Sequence, residues 1–330
     1  MPRQSEIVVP PGKIRERLDV FLTHSVENAT RTKVQEAIEA GLVLVNGKPT
    51  KASYRVSPND VINITIPQPK RQEVVAENIP INIIYEDEFL IVVNKPAGMV
   101  THPAYGNYTG TLVNALLYHC NGKLSSANNI TRAGIVHRLD KDTSGLMVVA
   151  KDDSTHAKLA KQFSQRTVER EYWAIVWGVF KKNKKGIIET NLGRSKSDRK
   201  KITVTEDGKH AITEYEVVDE FDYLSLIRLK LRTGRTHQIR VHLHHIGHPV
   251  FGDPTYGGRK IAYGSTDKKR KEEVHELLEI IPRQALHAKT LGFIHPLTNK
   301  KMSLNSKIPD DMREVLEMLR GDDDIPIAKT

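Results

Sequence analysis

The stretch GIVHRLDKDTSGLMVVA, residues 134–150, joins the densest polar cluster of the chain to an apolar run. The run Leu146–Ala150 has the length of a buried strand. The polar residues before it therefore lie on a loop held by a rigid element, and such loops often carry binding and catalytic groups. In an extended segment alternate side chains share a face, which places Arg138 and Asp140 together. We take this stretch as the centre of a candidate site.

Two further stretches place functional groups beside a strand. The first, TGRTHQIRVHL at 233–243, follows an alternating strand at 224–231. Its Thr-Gly pair indicates a turn, and Thr236 is predicted to cap a helix that begins at His237. The second, REYWAIVWG at 170–178, predicts a strand with aromatic side chains on both faces. Polar and aromatic groups therefore cluster at three points along the chain.

The segment around these clusters alternates strands with a few helices. Residues 83–93 predict a hairpin with an acidic turn, and Asp153–Gln165 predicts a helix. This pattern indicates an α+β fold, with a mainly antiparallel mixed sheet and flanking helices. Residues 260–281, which contain four consecutive basic residues and then a helical stretch, are interpreted as a peripheral insertion.

A separate small α/β module is predicted before this segment. Residues 15–22 begin a helical pattern, and a second helix runs from Arg31 to Ala40, with Gly41 as its C-cap. Asn46-Gly47 between two short strands is the strongest two-residue hairpin signal. The module covers residues 11–67.

The same signals predict the order of the domains along the chain. Pro67 and Pro69 stop both helix and strand and mark a linker. Asp322–Asp324 belong to a segment that we expect to fray. The predicted parts are an N-terminal tail (1–10), the small module (11–67), a linker (68–79), the main domain (80–308) and an acidic C-terminal tail (309–330).

Charge is distributed unevenly along the chain. Of 330 residues, 50 are Lys or Arg and 40 are Asp or Glu, a net charge of +10. Residues 68–307 carry +12, whereas residues 1–67 carry +2 and residues 308–330 carry −4. Such an excess indicates a polyanionic partner. Residues 181–201, with nine basic and two acidic side chains, fit a solvated loop and a phosphate-contacting ridge equally well.

Several classes of protein are excluded by composition. No segment approaches the ~20 apolar residues that cross a bilayer, and the N-terminus has no signal-peptide pattern. We therefore expect a cytoplasmic protein without a membrane partner. The single cysteine excludes an intramolecular disulfide framework and a cysteine-based zinc site. The histidines between His237 and His248 lack HExxH spacing and a carboxylate set, so we expect no metal.

The three clusters together resemble the RluA family of pseudouridine synthases. The resemblance covers residues 80–305 in the expected order. It rests on NKPAG (94–98), the motif at 137–145, EYWA (171–174), the motif at 234–243, His248-Pro249 and Gly252-Asp253-Pro254. The resemblance implies the pseudouridine synthase fold for the main domain and a reaction that needs no redox cofactor and no metal.

The small module resembles the S4 RNA-binding domain. The likeness rests on Arg15, Arg17, Asp19, the helix from Arg31 and the sequence VNGK at 45–48. It implies RNA contacts by Arg15, Arg17, Arg31 and Lys33. With both modules present, the chain is most similar to the branch of the family that modifies large-subunit ribosomal RNA, the RluD and RluC type.

The family resemblance also implies roles for single residues in the main domain. Asp140 is the catalytic aspartate, and Arg240 pairs with it. Tyr172 stacks on the target base and assists proton removal, and Arg138 enters the RNA helix as the uridine flips out. An ion pair would keep the carboxylate ionised and aimed. The carboxylate can attack C6 of the base or C1′ of the ribose. Asp142 and Asp253 are interpreted as turn formers.

Three functional hypotheses follow from the sequence. The first is an RNA pseudouridine synthase that acts on specific uridines of structured RNA, in ribosomal RNA or a pre-ribosomal particle, and that works as a monomer. The second is a non-catalytic RNA-binding or ribosome-assembly protein. The third is a hydrolase, such as a nucleoside glycosylase, that uses the same carboxylate.

Overall fold

The structure, a computed structural model, describes residues 3–26, 29–66, 74–104, 106–127, 130–181, 183–199 and 201–321. Its contacts divide the chain into two compact units, and the division falls between residues 72 and 73. The first half of the predicted linker, residues 68–73, lies outside the described residues, as do Asp322–Asp324 and the side chain of Lys33.

The first unit is a small α/β domain with one antiparallel sheet. Its elements are β1 (Arg3–Val8), α1 (Leu18–Ser25), α2 (Arg31–Glu39), β2 (Val43–Val45), β3 (Lys48–Pro49) and β4 (Val61–Ile66). The strand order is β1-β4-β2-β3. Asn46 and Gly47 both have positive φ, as the predicted hairpin between β2 and β3 requires. Leu18, Leu22 and Ile62 are fully buried between the helices and the sheet.

Residues 1–10 were predicted as a tail, and the structure differs. Residues 3–8 form β1, which pairs with the whole length of β4. Ile7 packs against the core of the unit and Val9 is fully buried within it. The apolar residues of this short segment therefore cover the edge of β4, which orders the chain.

The second unit contains, within its described residues, one ten-stranded sheet with helices against it. Its elements are β5 (Asn82–Glu86), β6 (Leu90–Lys95), α3 (Leu112–His119), a 3₁₀ turn (Ile130–Arg132), β7 (Ser144–Ala150), α4 (Asp153–Gln165), β8 (Glu169–Trp177), β9 (Lys185–Arg194), β10 (Ile202–Val204), β11 (Lys209–Glu220), β12 (Leu224–Leu231), α5 (Gln238–His245), α6 (Lys268–Ile280), β13 (Leu286–Ile294), β14 (Lys301–Asn305) and α7 (Asp310–Arg320).

The sheet order is β10-β9-β11-β12-β8-β13-β7-β6-β5, and β14 pairs with β13. All described pairings are antiparallel except that of β13 with β7. Alternate residues of β6 face opposite layers, because Ile91 and Val93 pack with α3 whereas Leu90 and Val92 pack with α4. The predicted α+β class with a mainly antiparallel mixed sheet is confirmed. None of the described helices is both long and apolar enough to span a membrane.

Two segments of this unit were interpreted as peripheral, and both belong to its core. Residues 268–280 form α6, which buries Val274 and Leu277. Residues 310–320, predicted as part of an acidic tail, form α7, whose Met312 and Val315 are fully buried. Apolar residues three and four positions apart give each helix a buried face. The many charged residues around these apolar positions led to the prediction that both segments are exposed to solvent.

Candidate active site

A cavity of about 460 Å³ opens where the loop after the 3₁₀ turn meets β8 and the start of α5. Asp140, Arg138, Tyr172 and Arg240 all line it, so the structure brings together the four main-domain residues that the sequence singled out. Asp140 and Arg240 are 100 residues apart in the chain. The four S4-like residues lie in the other unit.

Arg240 binds two carboxylates at one side of this cavity. Its Nη1 donates to Asp140 Oδ2 at 3.0 Å, while Nε and Nη2 donate to the two oxygens of Asp253 at 2.7 and 2.9 Å. Burial acts to lower the pKa of Arg240, but the two carboxylates outweigh it and raise the pKa above its usual value. The guanidinium is therefore a fixed cation beside Asp140.

Asp253 is fully buried and holds this guanidinium from behind. Besides the two bonds from Arg240, its Oδ1 accepts the backbone N–H groups of Thr255 and Tyr256 at 2.8 and 3.1 Å. The interpretation of Asp253 as a turn former describes those two bonds and misses the ion pair. The sequence carried one signal for a role beyond a turn, because Gly252-Asp253-Pro254 is among the residues on which the family resemblance rests.

Asp140 differs from Asp253 in exposure and in the number of its partners. Its side chain is 20% exposed. Among the described residues, Oδ2 accepts the bond from Arg240 and Oδ1 accepts none. A carboxylate with one oxygen bound by a cation and the other open to a cavity is positioned and still able to react.

The loop that carries Asp140 is supported from the side opposite the cavity. Lys95 Nζ, fully buried, donates to the carbonyl oxygen of Lys141 at 3.0 Å, and Thr101 Oγ1 donates to that of Leu139 at 3.1 Å. Burial lowers the pKa of Lys95 to about 7. Two further carbonyl oxygens, those of Pro96 and Met99, accept from Nζ and favour the ammonium form.

Arg283 extends this support to the C-terminal helix. Its Nη1 donates to the carbonyl oxygen of Asp142 at 3.2 Å, and its Nε and Nη2 donate to the two oxygens of Asp311 in α7 at 2.7 and 2.8 Å. The segment predicted as a tail thus anchors an arginine behind the Asp140 loop. Gly145 completes the arrangement, since a Cβ there would lie 2.3 Å from the backbone oxygen of Ala288.

Tyr172 lies on β8 with its side chain buried and facing the cavity. Burial raises the pKa of Tyr172, and nearby Arg170 only partly opposes this effect. The phenol is therefore neutral near neutral pH. A neutral aromatic side chain beside a carboxylate can hold a planar base against its ring.

Comparisons with known proteins identify this arrangement. The family described as RNA pseudouridylate synthase matches residues 89–245, and the S4 domain matches residues 16–62. A Chlorobaculum parvum protein described as an uncharacterized RNA pseudouridine synthase is 51% identical, over 92% of this chain and 94% of its own length. The chain belongs to the RNA pseudouridine synthase family. The resemblance seen in the sequence is confirmed.

Two further relatives of the enzyme are informative. The ribosomal large subunit pseudouridine synthase D of Zymomonas mobilis is 42% identical, over 97% of this chain and 98% of its own. The solved structure titled Human RNA Pseudouridylate Synthase Domain Containing 4 matches with a TM-score of 0.56 at 26% identity, over 72% of this chain and 93% of that one. The enzyme is therefore an isomerase that acts on RNA.

The cavity of the enzyme is lined by several cations besides Arg240. Arg138, Arg166, Arg170 and Arg235 all border it, and Arg138 is exposed. Asp140 is the one carboxylate among the residues that line it. An opening with this balance of charge attracts the phosphate backbone of RNA.

His237 borders the same cavity and was not predicted as a site residue. Its Nδ1 lies within hydrogen-bond distance of Tyr256 Oη, at 2.8 Å, and that oxygen also accepts the N–H of Ile202 at 3.0 Å. Burial lowers the pKa of His237. Its Nε2 lies 3.9 Å from Asp140 Oδ2.

The cap predicted at the start of α5 is wrong. The N-cap residue is His237, not Thr236, and no side chain of the cap accepts a helix N–H. His237 has φ of 53°, in the left-handed region that non-glycine residues seldom adopt. This backbone turn directs His237 into the cavity, a constraint that local capping patterns do not reveal.

In the S4 unit, buried Asp19 gathers the candidate RNA-binding arginines. It accepts bonds from Arg17 Nε and Nη2, Arg31 Nε and Gln35 Nε2, at 2.8 to 3.1 Å. These bonds, that of Arg17 first, hold the pKa of Asp19 well below its usual range despite burial. Arg17 and Arg31 remain 43% and 56% exposed, so their free donors face solvent in fixed positions. Arg15 is also exposed.

The basic stretch at 181–201 is partly neutralised. Lys184 pairs with Glu220, and Lys185 pairs with Glu216 at 2.6 Å. Arg194 and Lys196, at the end of β9 and after it, are exposed. The solvated-loop interpretation thus fits one end of the stretch, and the ridge interpretation remains a prediction for the other.

Proposed function

We propose that this enzyme converts specific uridines of large-subunit ribosomal RNA to pseudouridine, with Asp140 as the reacting carboxylate. The observation that carries the proposal is the Asp140–Arg240–Asp253 arrangement, in which one oxygen of Asp140 is open to a cation-lined cavity. Relatives described as ribosomal large subunit pseudouridine synthase D, from Zymomonas mobilis and Haemophilus influenzae, support the choice of RNA.

The reaction needs a nucleophile or an anion beside the glycosidic bond. In the proposed mechanism the Asp140 carboxylate adds to C6 of the base or to C1′ of the ribose, and both routes break the N1–C1′ bond. The uracil turns, C5 bonds to C1′, and the bond between Asp140 and the carbon that it attacked breaks, which returns the free carboxylate. C5 then loses its proton and N1 takes one up, so the product is an isomer. Arg240 holds the carboxylate in position for the attack through the bond to Oδ2.

Tyr172 and Arg138 act on the base in this proposal. A uridine in a helix must leave its stack, which costs a few kcal/mol. Arg138, exposed at the opening, enters the space that the base vacates, and the ring of Tyr172 stacks on the extruded uracil. Burial raises the pKa of Tyr172, so its phenol stays neutral. In this proposal the phenol passes the C5 proton on and does not retain it.

The S4 unit would bind the same RNA away from the reacting uridine. Arg15, Arg17, Arg31 and Lys33 are the proposed phosphate contacts, and Asp19 fixes two of them. Deletion of residues 1–67 should weaken RNA binding and flatten its salt dependence more than it slows the chemical step. Equal affinity for ribosomal RNA without these residues would refute this role. A cytoplasmic location and a monomeric state remain predictions.

The proposal is tested by pseudouridine mapping of large-subunit ribosomal RNA after incubation with wild-type enzyme or with Asp140→Asn. We expect discrete new pseudouridines with the wild type and none with the variant, although the variant still binds the RNA. Conversion by Asp140→Asn would refute the assignment of the carboxylate.

The same reactions separate the two other hypotheses. A glycosylase would release free uracil and leave abasic positions, whereas isomerisation leaves the mass of the RNA unchanged. A non-catalytic RNA-binding protein would give neither product with wild-type protein. Mass spectrometry of digested RNA and of the small-molecule fraction distinguishes the three outcomes.

A further inference from the structure

We propose that Arg170 forms a phosphate-binding subsite inside the cavity, which holds a backbone phosphate of the flipped nucleotide. The proposal rests on the proposed function, because it assigns a second contact to the same nucleotide. Neither the sequence motifs nor the ion pairs of the site assign a role to Arg170. Three observations carry it: the place of Arg170 on β8, its lack of a carboxylate partner in the described part of the chain, and the room that Gly234 leaves for it.

Arg170 shares one face of β8 with Tyr172. Side chains two positions apart in a strand point the same way, about 6.6 Å apart along it. Both side chains line the cavity that contains Asp140. If the uracil stacks on Tyr172, the ribose and phosphate of that nucleotide extend to one side of the base, and Arg170 occupies a neighbouring position on the same surface.

Arg170 has no carboxylate partner among the described residues, in contrast to arginines on and just after the adjacent strand β12. Arg228 pairs with Glu216, and Arg232 after β12 pairs with Glu214. Among the described residues, Arg170 makes one weak bond, from Nη2 to the carbonyl oxygen of Leu231 at 3.4 Å, and its buried Nε has no hydrogen-bond partner. Its guanidinium carbon lies 5.8 Å from the ring centre of Phe163.

An unpaired, half-buried guanidinium is costly unless an anion satisfies it. The described protein residues supply none, whereas the substrate carries one phosphate for every nucleotide. The planar guanidinium matches the paired oxygens of a phosphate and can bind two of them at once. A phosphate in the cavity would therefore give the terminal nitrogens of Arg170 the anionic partner that the described residues do not supply.

Gly234 is the residue that makes room for this guanidinium. Its φ lies outside the left-handed region, so backbone conformation does not require a glycine there. A Cβ at this position would lie 2.9 Å from Arg170 Nη1. The absent side chain therefore preserves the position of Arg170, which gives a second way to displace the group without removing its charge.

The test uses an RNA stem-loop that contains a uridine mapped as above, with a neutral methylphosphonate in place of the phosphate 5′ or 3′ to it. Single-turnover conversion is measured for wild type, Arg170→Gln and Gly234→Ala. We expect one of the two methylphosphonates to slow the wild type at least ~10-fold, the size of a lost charge-assisted hydrogen bond. Both variants should be slow on normal RNA and no slower on that methylphosphonate RNA. Lys161→Gln, an exposed lysine of α4 outside the cavity, should behave as wild type.

Equal slowing of wild type and Arg170→Gln by both methylphosphonates would overturn the proposal. The rates on 2-thiouridine and 4-thiouridine relative to uridine are a second check. If Arg170→Gln raises either relative rate above that of wild type, the proposal is also overturned, because that result would place the guanidinium on a uracil carbonyl. Wild-type enzyme that leaves the unmodified stem-loop unconverted would instead overturn the proposed function, and this subsite with it. Circular dichroism of each variant establishes that a slow rate does not reflect unfolding.

Discussion

Asp140 and Asp253 bind the same guanidinium and yet occupy opposite environments. Asp253 is fully buried and accepts four hydrogen bonds, two from Arg240 and two from backbone N–H groups. Asp140 is 20% exposed and its side chain accepts one, among the described residues. A buried carboxylate with four donors around it is fixed and closed to a substrate, whereas a carboxylate with one donor at a cavity has lone pairs that a substrate can reach.

The difference shows how a single arginine can be both structural and functional. Asp253 fixes the position of Arg240, and Arg240 in turn aims Asp140. The loop of Asp140 is held from its other side by Lys95 and Arg283, through backbone carbonyls that leave the carboxylate itself open. The proposed reacting carboxylate of Asp140 is thus positioned mainly by contacts to the backbone of its loop and by the single bond from Arg240.

The largest expected effect comes from removing the shared cation. Arg240→Met leaves Asp253 buried without its partner, and losing one member of a buried pair costs about 3–5 kcal/mol. We expect the free energy of unfolding to fall by that amount and pseudouridine formation to be lost. Urea denaturation measures the first effect. A variant of unchanged stability would show that Asp253 does not depend on Arg240.

A smaller effect is expected from the support behind the Asp140 loop. Lys95→Met leaves three carbonyl oxygens without a donor, which we expect to lower the free energy of unfolding by about 1–3 kcal/mol. Displacement of the loop should slow single-turnover conversion by roughly 10- to 100-fold. Lys123→Met, at an exposed lysine of the same unit, is the matched control. Full activity of Lys95→Met would mean that the Asp140 loop keeps its position without the bonds from Lys95.

The smallest effect concerns pH and His287, which also lies behind this loop. Buried His287 contacts Ser144 and Ser306 through its two ring nitrogens, and burial lowers its pKa to about 3. Since the unfolded chain takes up a proton near pH 6.5 and the folded chain does not, stability is full above that pH and falls as pH drops toward 3. Between pH 7.5 and 5.0 this group should remove about 2 kcal/mol from the free energy of unfolding. A His287→Gln variant with the same pH slope as wild type would contradict this.

Sequence reasoning located the motifs that carry the proposed reacting residues and missed the residues that support them. Asp140 and Arg240 were predicted as partners because each stands in a dense, ordered motif. Lys95 supports a carbonyl 46 residues away, and Arg283 one 141 residues away, and no local pattern reveals such pairs. Arg170 stood in a quoted motif without an assigned role, because the missing partner of a charge is visible only in three dimensions.

Local charge also misled the interpretation of the chain ends. Residues 310–320 are rich in acidic side chains, and this charge led to the prediction of a tail. The spacing of Met312, Val315 and Leu316 instead places these three residues on one buried face of a helix. The fold class followed from strand alternation and hairpin turns, which are short-range signals. The packing of α6 and α7 depends on distant elements, and their charge pattern describes only the solvent side.

The most direct test is single-turnover pseudouridine formation by Asp140→Asn beside Asp253→Asn, each measured with its free energy of unfolding. We expect Asp140→Asn to form no pseudouridine while its stability stays within about 1 kcal/mol of wild type, since its carboxylate is partly exposed. Asp253→Asn should be destabilised by about 3–5 kcal/mol and yet convert uridine slowly where it remains folded. Conversion by Asp140→Asn, or a complete loss of conversion by folded Asp253→Asn alone, would contradict this division between the two carboxylates.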